Sequence, residues 1–195
     1  YIVFDYESEF VQGVHTVNLA KSRQLYGDGT IWTHTTLAEH VEWMLEHKHT
    51  TFIAHNLKGY DGWLIHKHLT QHEGRKPDNI ILAGNKVMYM KFESVRFIDS
   101  LNFVDGSLES MPKMFGLDTD KFKKGYFPYL MNQPELQSYS GPFPDVQHFE
   151  PHKMKASAAL VGKYGDIFKA NQAKQDEFAE WYEEQVTIHS DPNDP

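Results

Sequence analysis

Asp5-x-Glu7 near the start of the chain and Asp61 further along are the residues whose types and spacing could do chemistry. Asp5 and Glu7 follow a run of β-forming residues, Tyr1-Ile2-Val3-Phe4. Side chains two apart on a strand share a face, so both carboxylates point one way. Two like charges side by side repel, and a bound cation relieves that repulsion. Oxygen donors suit Mg²⁺ or Mn²⁺. The plain alternative is a solvated strand end, and an Asp-x-Glu taken alone favours it. Asp61 closes the stretch Ala54-His55-Asn56-Leu57-Lys58-Gly59-Tyr60-Asp61. There a strand ends, a short loop turns and Asp61 opens a helix, which brings a third carboxylate to the edge of a sheet. Asp is also a preferred helix N-cap, so capping alone, and capping together with ligation, both stay open. The twelve histidines invite a zinc reading. His47/His49 and His66/His68 are two apart, a spacing that does not share a helix face. No His-x-x-x-His stands with a third ligand in a recognisable pattern. All but His55 are read as surface or partly buried residues.

Such a site needs a sheet to carry it. Tyr1 to Phe4 reads as a central strand buried on both faces and closed by the Asp5-x-Glu7 pair. Val14 to Leu19 reads as a second strand, and Gly27-Asp28-Gly29 as a turn. Thr36-Leu37-Ala38-Glu39 is a capping box. Leu37, Val41, Met44 and Leu45 then line one face of a helix. Thr51 to Ala54 is a short buried strand. A helix follows from Asp61 to about His72, with Leu64, Ile65 and Leu69 inward. Ile80 to Leu82, Val87 to Phe92 and Val95 to Ile98 are three more strands, with Asn85 at the first turn between them. Ser107 to Phe115 suggests a short helix ended by Gly116. Residues 125–152 are proline-rich and read as mostly loop. A last helix is expected over Asp176 to Gln185, and the tail from Ser190 to Pro195 reads as disordered. Trp32, Trp43, Trp63 and Trp181 belong to cores or their edges. Strands mixed with helices, hairpins included, give an α/β fold of the RNase H-like type, a mixed sheet flanked by helices. One domain over residues 1–189 and a tail over 190–195 follow.

Composition narrows the classes. The 195 residues suit one α/β domain. Apolar residues at 40% and charged residues at 24% are ordinary for a globular protein. No apolar run approaches the roughly 18 residues that span a membrane, and no signal-peptide pattern is present. The chain opens on a strand rather than on Met, so it reads as an internal fragment of a longer protein. It contains no Cys, which excludes disulfides and thiolate zinc sites and points to an intracellular, reducing compartment. With 27 acidic and 19 basic residues the net charge is −8. That argues against holding DNA by charge alone, but not against a site that binds metal ions and a few nucleotides.

Several stretches resemble one family in the right order. Phe4-Asp5-Tyr6-Glu7-Ser8 resembles the first exonuclease motif of proofreading DNA polymerases, and His55-Asn56 through Tyr60-Asp61 the second. Residues 95–103, Ser107-Leu108 through Gly116-Leu117, Lys124-Gly125-Tyr126-Phe127-Pro128-Tyr129, and Glu177-Phe178 through Trp181-Tyr182 are similar to the protein-primed branch of family B DNA polymerases, the viral, organellar or mobile-element kind. The resemblance implies that Asp5, Glu7 and Asp61 hold catalytic metal. It implies that Ser8, His55, Asn56, Tyr60 and Leu64 touch the 3′ end of a single strand, that Ser107 and Leu108 contact the same strand, and that Lys124 assists the chemistry. An aromatic ring can stack a base, and small polar groups can bond sugar and phosphate.

The implied reaction is phosphodiester hydrolysis with two divalent ions, Mg²⁺ or Mn²⁺. The implied partners are a single-stranded DNA 3′ end, the polymerase domain of the same parent chain and a terminal-protein primer, with no membrane. A third family motif, a tyrosine four positions before a fourth catalytic aspartate on a late helix, is not found. Asp166 follows Tyr164 by two, the wrong spacing, and reads as a surface acid. Asp99 ends a strand and could approach the site, but the resemblance implies a structural position. The fragment is therefore expected to bind an ion weakly and to cut slowly or not at all. A stand-alone DEDD-type exonuclease acting on RNA or DNA, and a non-catalytic nucleic-acid-binding remnant, are the competing readings.

Overall fold

The protein is described here from a computed structural model, which places residues 1–11, 13–119, 121–122, 125–136, 138–149 and 165–189. The side chains of 10, 11, 134 and 165–175 lie outside that description. The chain divides into two compact units, Tyr1–Lys123 and Lys124–Pro195.

The first unit is built on a seven-stranded mixed sheet. Its strands are β1 (Ile2–Val11), β2 (Val14–Gln24), β3 (Ile31–His34), β4 (Thr51–Ala54), β5 (Asn79–Ala83), β6 (Lys86–Phe92) and β7 (Val95–Asp99). They lie in the order β3-β2-β1-β4-β7-β6-β5. β1, β4 and β7 run parallel at the centre, and β2–β3 and β6–β5 add antiparallel wings. The strands at 14–19, 51–54, 80–82, 87–92 and 95–98 thus form as their patterns require. β3 escapes the pattern because four residues, Ile-Trp-Thr-His, are too few to show an alternation.

β1 departs from expectation in two ways. It alternates rather than being buried on both faces: Ile2, Phe4 and Tyr6 are buried, whereas Asp5 is exposed and Glu7 half-buried. Nor does the Asp-x-Glu pair close the strand. β1 continues to Val11 and turns at Gly13 (φ 84°) into β2. Pairing with β2 supplies the backbone partners that let residues 7–11, polar Glu7, Ser8 and Glu9 among them, remain extended. The register shifts between Glu7 and Ser8, and such a bulge re-aims the side chains that follow.

Helix α1 (Leu37–Glu46) begins at Thr36, whose hydroxyl accepts from the Glu39 N–H at 3.2 Å. Replacing Thr36 by Ala should cost about 1 kcal/mol, read from the shift of a urea unfolding midpoint; an unchanged midpoint would deny the cap any role. α1 buries His40 together with Val41, Met44 and Leu45. The reading of the histidines outside His55 as surface or partly buried fails at His40, which is fully buried. Its Nε2 lies 2.7 Å from the Ser22 hydroxyl and its Nδ1 2.9 Å from the Tyr6 hydroxyl. Both ring nitrogens are satisfied, so burial is tolerated. Burial, and then the neighbouring His34, push its pKa down to about 3. The spacing 37, 40, 41, 44, 45 carries this signal, since i+3 shares the face of i and i+4.

Helix α2 (Asp61–Lys67) runs into a π-helical turn, His68–His72, so the segment ends where the sequence places its end. Ile65 and Leu69 are fully buried, and Leu64 packs partly buried against the same core. The helix expected over 107–115 is a 3₁₀ turn (Leu108–Ser110) followed by α3 (Met111–Met114). Gly116 then turns the chain at φ 64°.

In the second unit, 3₁₀ turns at Tyr129–Met131, Pro134–Leu136 and Val146–Phe149 break the expected loop. α4 covers Gly165–Ile188, longer than the stretch from 176 to 185. Residues 165–175 have little apolar face, but Ala, Lys and Gln favour a helix by propensity. Phe143, Phe149, Phe178, Trp181 and Tyr182 form an aromatic cluster, and the Tyr182 hydroxyl donates to the Pro144 carbonyl at 3.0 Å. The tail from 190 to 195 lies outside the described residues. Among the described residues no helix is long and apolar enough to cross a membrane.

Candidate active site

The parallel strands fix where the chemistry gathers. Val3 pairs with Ile53, and Ala54 with Asp99. Asp5 therefore lies two residues past the last pairing of β1 with β4, and the loop after Ala54 and Asp99 lie at the carboxyl ends of β4 and β7, the edge where open α/β sheets place their sites.

Asp61 opens α2 from this edge and is only 5% exposed. Its carboxyl is pushed up to about 7, first by burial and then by the negative charge of Asp5. Asp99 and Glu7 add smaller pushes, and a hydrogen bond from its own backbone opposes them. Tyr6 is pushed up as well, by burial and then by Asp61. The three sequence-predicted carboxylates thus share one electrostatic neighbourhood. In this structure no group of three or more His, Asp or Glu side chains among the described residues is arranged to hold a metal ion. The donor chemistry nevertheless fits a divalent cation: a buried carboxyl whose ionisation is opposed by neighbouring acids is what a cation would stabilise.

The loop 55–60 is held from several directions. Asn56 adopts φ 65°, a left-handed conformation that Asn tolerates. Leu57 is fully buried. Gly59 N–H donates to the Asn56 carbonyl at 2.8 Å, and Gly62 N–H to the Leu57 carbonyl at 2.9 Å. A Cβ at Gly59 would meet the Asn56 side chain at 2.6 Å, and one at Gly62 the Leu57 carbonyl oxygen at 2.9 Å. The second obstacle is backbone and cannot swing aside. Gly62→Ala should therefore lower stability by about 1–3 kcal/mol, as overpacking does. Urea unfolding measures it, and a loss below a few tenths would show that the loop yields.

His55 is half-buried, and its Nδ1 lies 2.9 Å from the Ser100 hydroxyl. The Tyr60 hydroxyl donates to Ser8 Oγ at 2.6 Å, joining the first motif to the second. His15, which the sequence reading left out, lies 3.2 Å from Ser8 Oγ through Nδ1 and meets the Tyr60 ring edge-on. Only the register of the β1–β2 hairpin could have found it. Asp99 is fully buried. Its carboxylate accepts from the backbone N–H groups of Asn56 (3.0 Å), Lys58 (2.9 Å) and Leu101 (2.8 Å). Those bonds tie the end of β7 to the loop after β4. Ser107 caps the 3₁₀ turn that follows, its hydroxyl accepting from Ser110 N–H, and Leu108 is 51% exposed. Lys124 lies outside the described residues, as does the side chain of Asp166.

A mixed sheet with parallel centre strands, antiparallel wings and acids at one edge is an RNase H-like α/β fold. The family model for DNA polymerase type B, organellar and viral, matches residues 42–184, and the chain belongs to that family. Among solved structures, phi29 DNA polymerase complexed with primer-template DNA and incoming nucleotides matches at 15% identity and a TM-score of 0.53. It covers 92% of this chain and 31% of its own. Phi29 DNA polymerase complexed with single-stranded DNA matches at 18% identity and a TM-score of 0.50, covering 71% of this chain and 28% of that one. The protein thus spans under a third of the length of these neighbours. No curated protein sequence matches it.

Proposed function

We propose that this chain is the 3′→5′ proofreading exonuclease domain of a protein-primed type B DNA polymerase, acting on single-stranded 3′ ends. The observation that carries the reading is Asp61, a carboxyl pushed up by its burial and then by Asp5, with smaller pushes from Asp99 and Glu7, at the end of a loop that begins with His55 and Asn56 and whose Tyr60 donates to Ser8. Asp5, Glu7 and Asp61 would hold Mg²⁺ or Mn²⁺. When bound, paired ions supply an activated water and stabilise the leaving 3′ oxygen. The chain's own residues place the strand. Tyr60, fixed by its bond to Ser8, stacks the terminal base. His55 and Asn56 bond sugar and phosphate from a loop that cannot drift. Leu64, Ser107 and Leu108 extend the contact along the strand, and Lys124 remains a candidate for neutralising charge on the phosphate. The polymerase domain of the parent chain and a terminal-protein primer are the partners this reading brings, in an intracellular setting.

Binding tests it. A fluorescent oligothymidylate should bind in preference to a blunt duplex, with a shallow salt dependence because few basic residues line the site. Tyr60→Ala should weaken single-strand binding by roughly 1–3 kcal/mol, the usual worth of a base–aromatic stack. Equal affinity for duplex and single strand, unchanged in Tyr60→Ala, would overturn the reading.

A further inference from the structure

Two adjacent residues at the end of β7 reach into the loop after β4 by different means. Asp99, fully buried, takes up the backbone N–H groups of Asn56 and Lys58. Ser100 places its hydroxyl 2.9 Å from His55 Nδ1. The same corner also organises its own continuation. Asp99 accepts from Leu101 N–H, and the Ser100 carbonyl accepts from Phe103 and Val104 N–H, at the start of the segment that leads to Ser107 and Leu108.

We infer that Asp99 and Ser100 form a positioning corner that sets the single-strand grip, Asp99 by fixing the backbone of the Asn56–Lys58 loop and Ser100 by fixing the His55 ring. The inference rests on the exonuclease reading for what the loop grips, but its geometry is independent of metal. Three N–H donors leave the Asp99 oxygens engaged, so its contribution is made through the loop and not by contact with DNA. Without it, the N–H groups of exposed Asn56 and half-buried Lys58 would lose the acceptor that now fixes them, and the left-handed turn at Asn56 would lose one of the bonds that hold it. His55, in turn, needs a defined ring orientation to present its other nitrogen, and the bond that one ring nitrogen makes sets the role of the other. Side chains that touch substrate perform only as well as the groups that lock them.

The experiment uses the full 195-residue chain in EDTA, so nothing is cut, with a 5′-fluorescein oligothymidylate bearing a free 3′ hydroxyl as probe. Asp99→Asn keeps the size but turns one acceptor into a donor facing N–H groups, and should weaken binding about tenfold. Ser100→Ala should weaken it about threefold, within the range of one lost neutral hydrogen bond, and Ser100→Thr should restore it. In a His55→Ala background Ser100→Ala should have no further effect, which a general loss of stability would not produce. Amide exchange gives a second reading: in Asp99→Asn the Asn56 and Lys58 amides should speed up while those of β4 do not. If Asp99→Asn does not fold, the Ser100 pair and its His55 background decide the matter. A wild-type chain that fails to bind the probe overturns the exonuclease reading and this inference with it. A wild-type chain that binds, with Asp99→Asn and Ser100→Ala binding equally well, overturns only the positioning corner.

Discussion

Asp61→Asn should make the protein more stable at pH 8, and more stable than the wild type by a margin that vanishes near pH 4. The folded carboxyl has its pKa raised to about 7 from an ordinary value of 3.8, through burial and then the charge of Asp5. The folded state therefore keeps a proton that the unfolded state has already lost. Between those two values the unfolded chain binds fewer protons, so stability falls as pH rises, and the full penalty is present above 7. A displacement from 3.8 to about 7 corresponds to on the order of 4 kcal/mol. Asparagine does not ionise and escapes it. His40, held down to about 3, works in the other direction: its neutral burial costs stability as pH falls below its ordinary value. The difference between wild type and variant isolates Asp61, because His40 is common to both. Urea unfolding from pH 4 to 8, without divalent ions, is the measurement. Added Mn²⁺ should then stabilise the wild type at pH 8 and leave Asp61→Asn unmoved, since binding to the native state alone raises its stability. Parallel pH curves for the two proteins would mean that Asp61 is not strained by its neighbours.

A site that costs its own fold stability in the absence of a ligand is a common signature of function, and it was partly legible in the sequence. Asp5 and Glu7 could be placed on one face because a strand alternates, and β1 does alternate, with Ile2, Phe4 and Tyr6 buried on the opposite side. Asp61 could be placed at a sheet edge because a strand, a loop and a helix start follow one another within eight residues. The parts that stayed hidden depend on pairs far apart in the chain. Asp99 reads as any strand-ending acid until β4 and β7 are seen side by side with Ala54 opposite it. His15 reads as a polar residue in a hairpin until the register brings it to Ser8 and Tyr60. His40 lies on the apolar face of α1, but only the positions of Ser22 and Tyr6 explain how an imidazole can be buried there. Gly59 looks like an ordinary loop glycine and Gly62 like a plain glycine in the first turn of a helix, and only the distances to Asn56 and to the Leu57 carbonyl show which of them the fold cannot replace. The long start of α4 was missed for a different reason: propensity without an apolar face gives a weak pattern.

The largest expected effect concerns hydrolysis itself. With Mn²⁺ or Mg²⁺, this chain alone should release mononucleotides from a single-stranded 3′ end slowly or not at all. A chain that also carries the Tyr-x-x-x-Asp element on a late helix should do so at least about a hundredfold faster. The argument is one of ligand supply. Three acids, Asp5, Glu7 and Asp61, can share one ion, whereas a pair of ions about 4 Å apart needs a further carboxylate to place the second ion and the water. Asp99 lies near enough for Asp61 to feel its charge, and it is the obvious internal substitute. Its carboxylate, however, already accepts three backbone N–H groups, and turning it toward an ion would release the loop that carries His55 and Asn56. Recruiting it would gain a ligand and lose the strand. In the longer chain Asp5→Ala should return the rate to that of the short one or below, because it removes a ligand and leaves the strand grip in place, so that oligonucleotide affinity in EDTA is unchanged. Time courses of 3′-end shortening of a 5′-labelled oligonucleotide, run side by side for the two chains and the variant, decide it. If the short chain matches the long one and loses that activity in Asp99→Asn while still binding the strand, then Asp99 is a ligand after all, and the hydrogen bonds seen here belong to a resting arrangement that the metal rearranges.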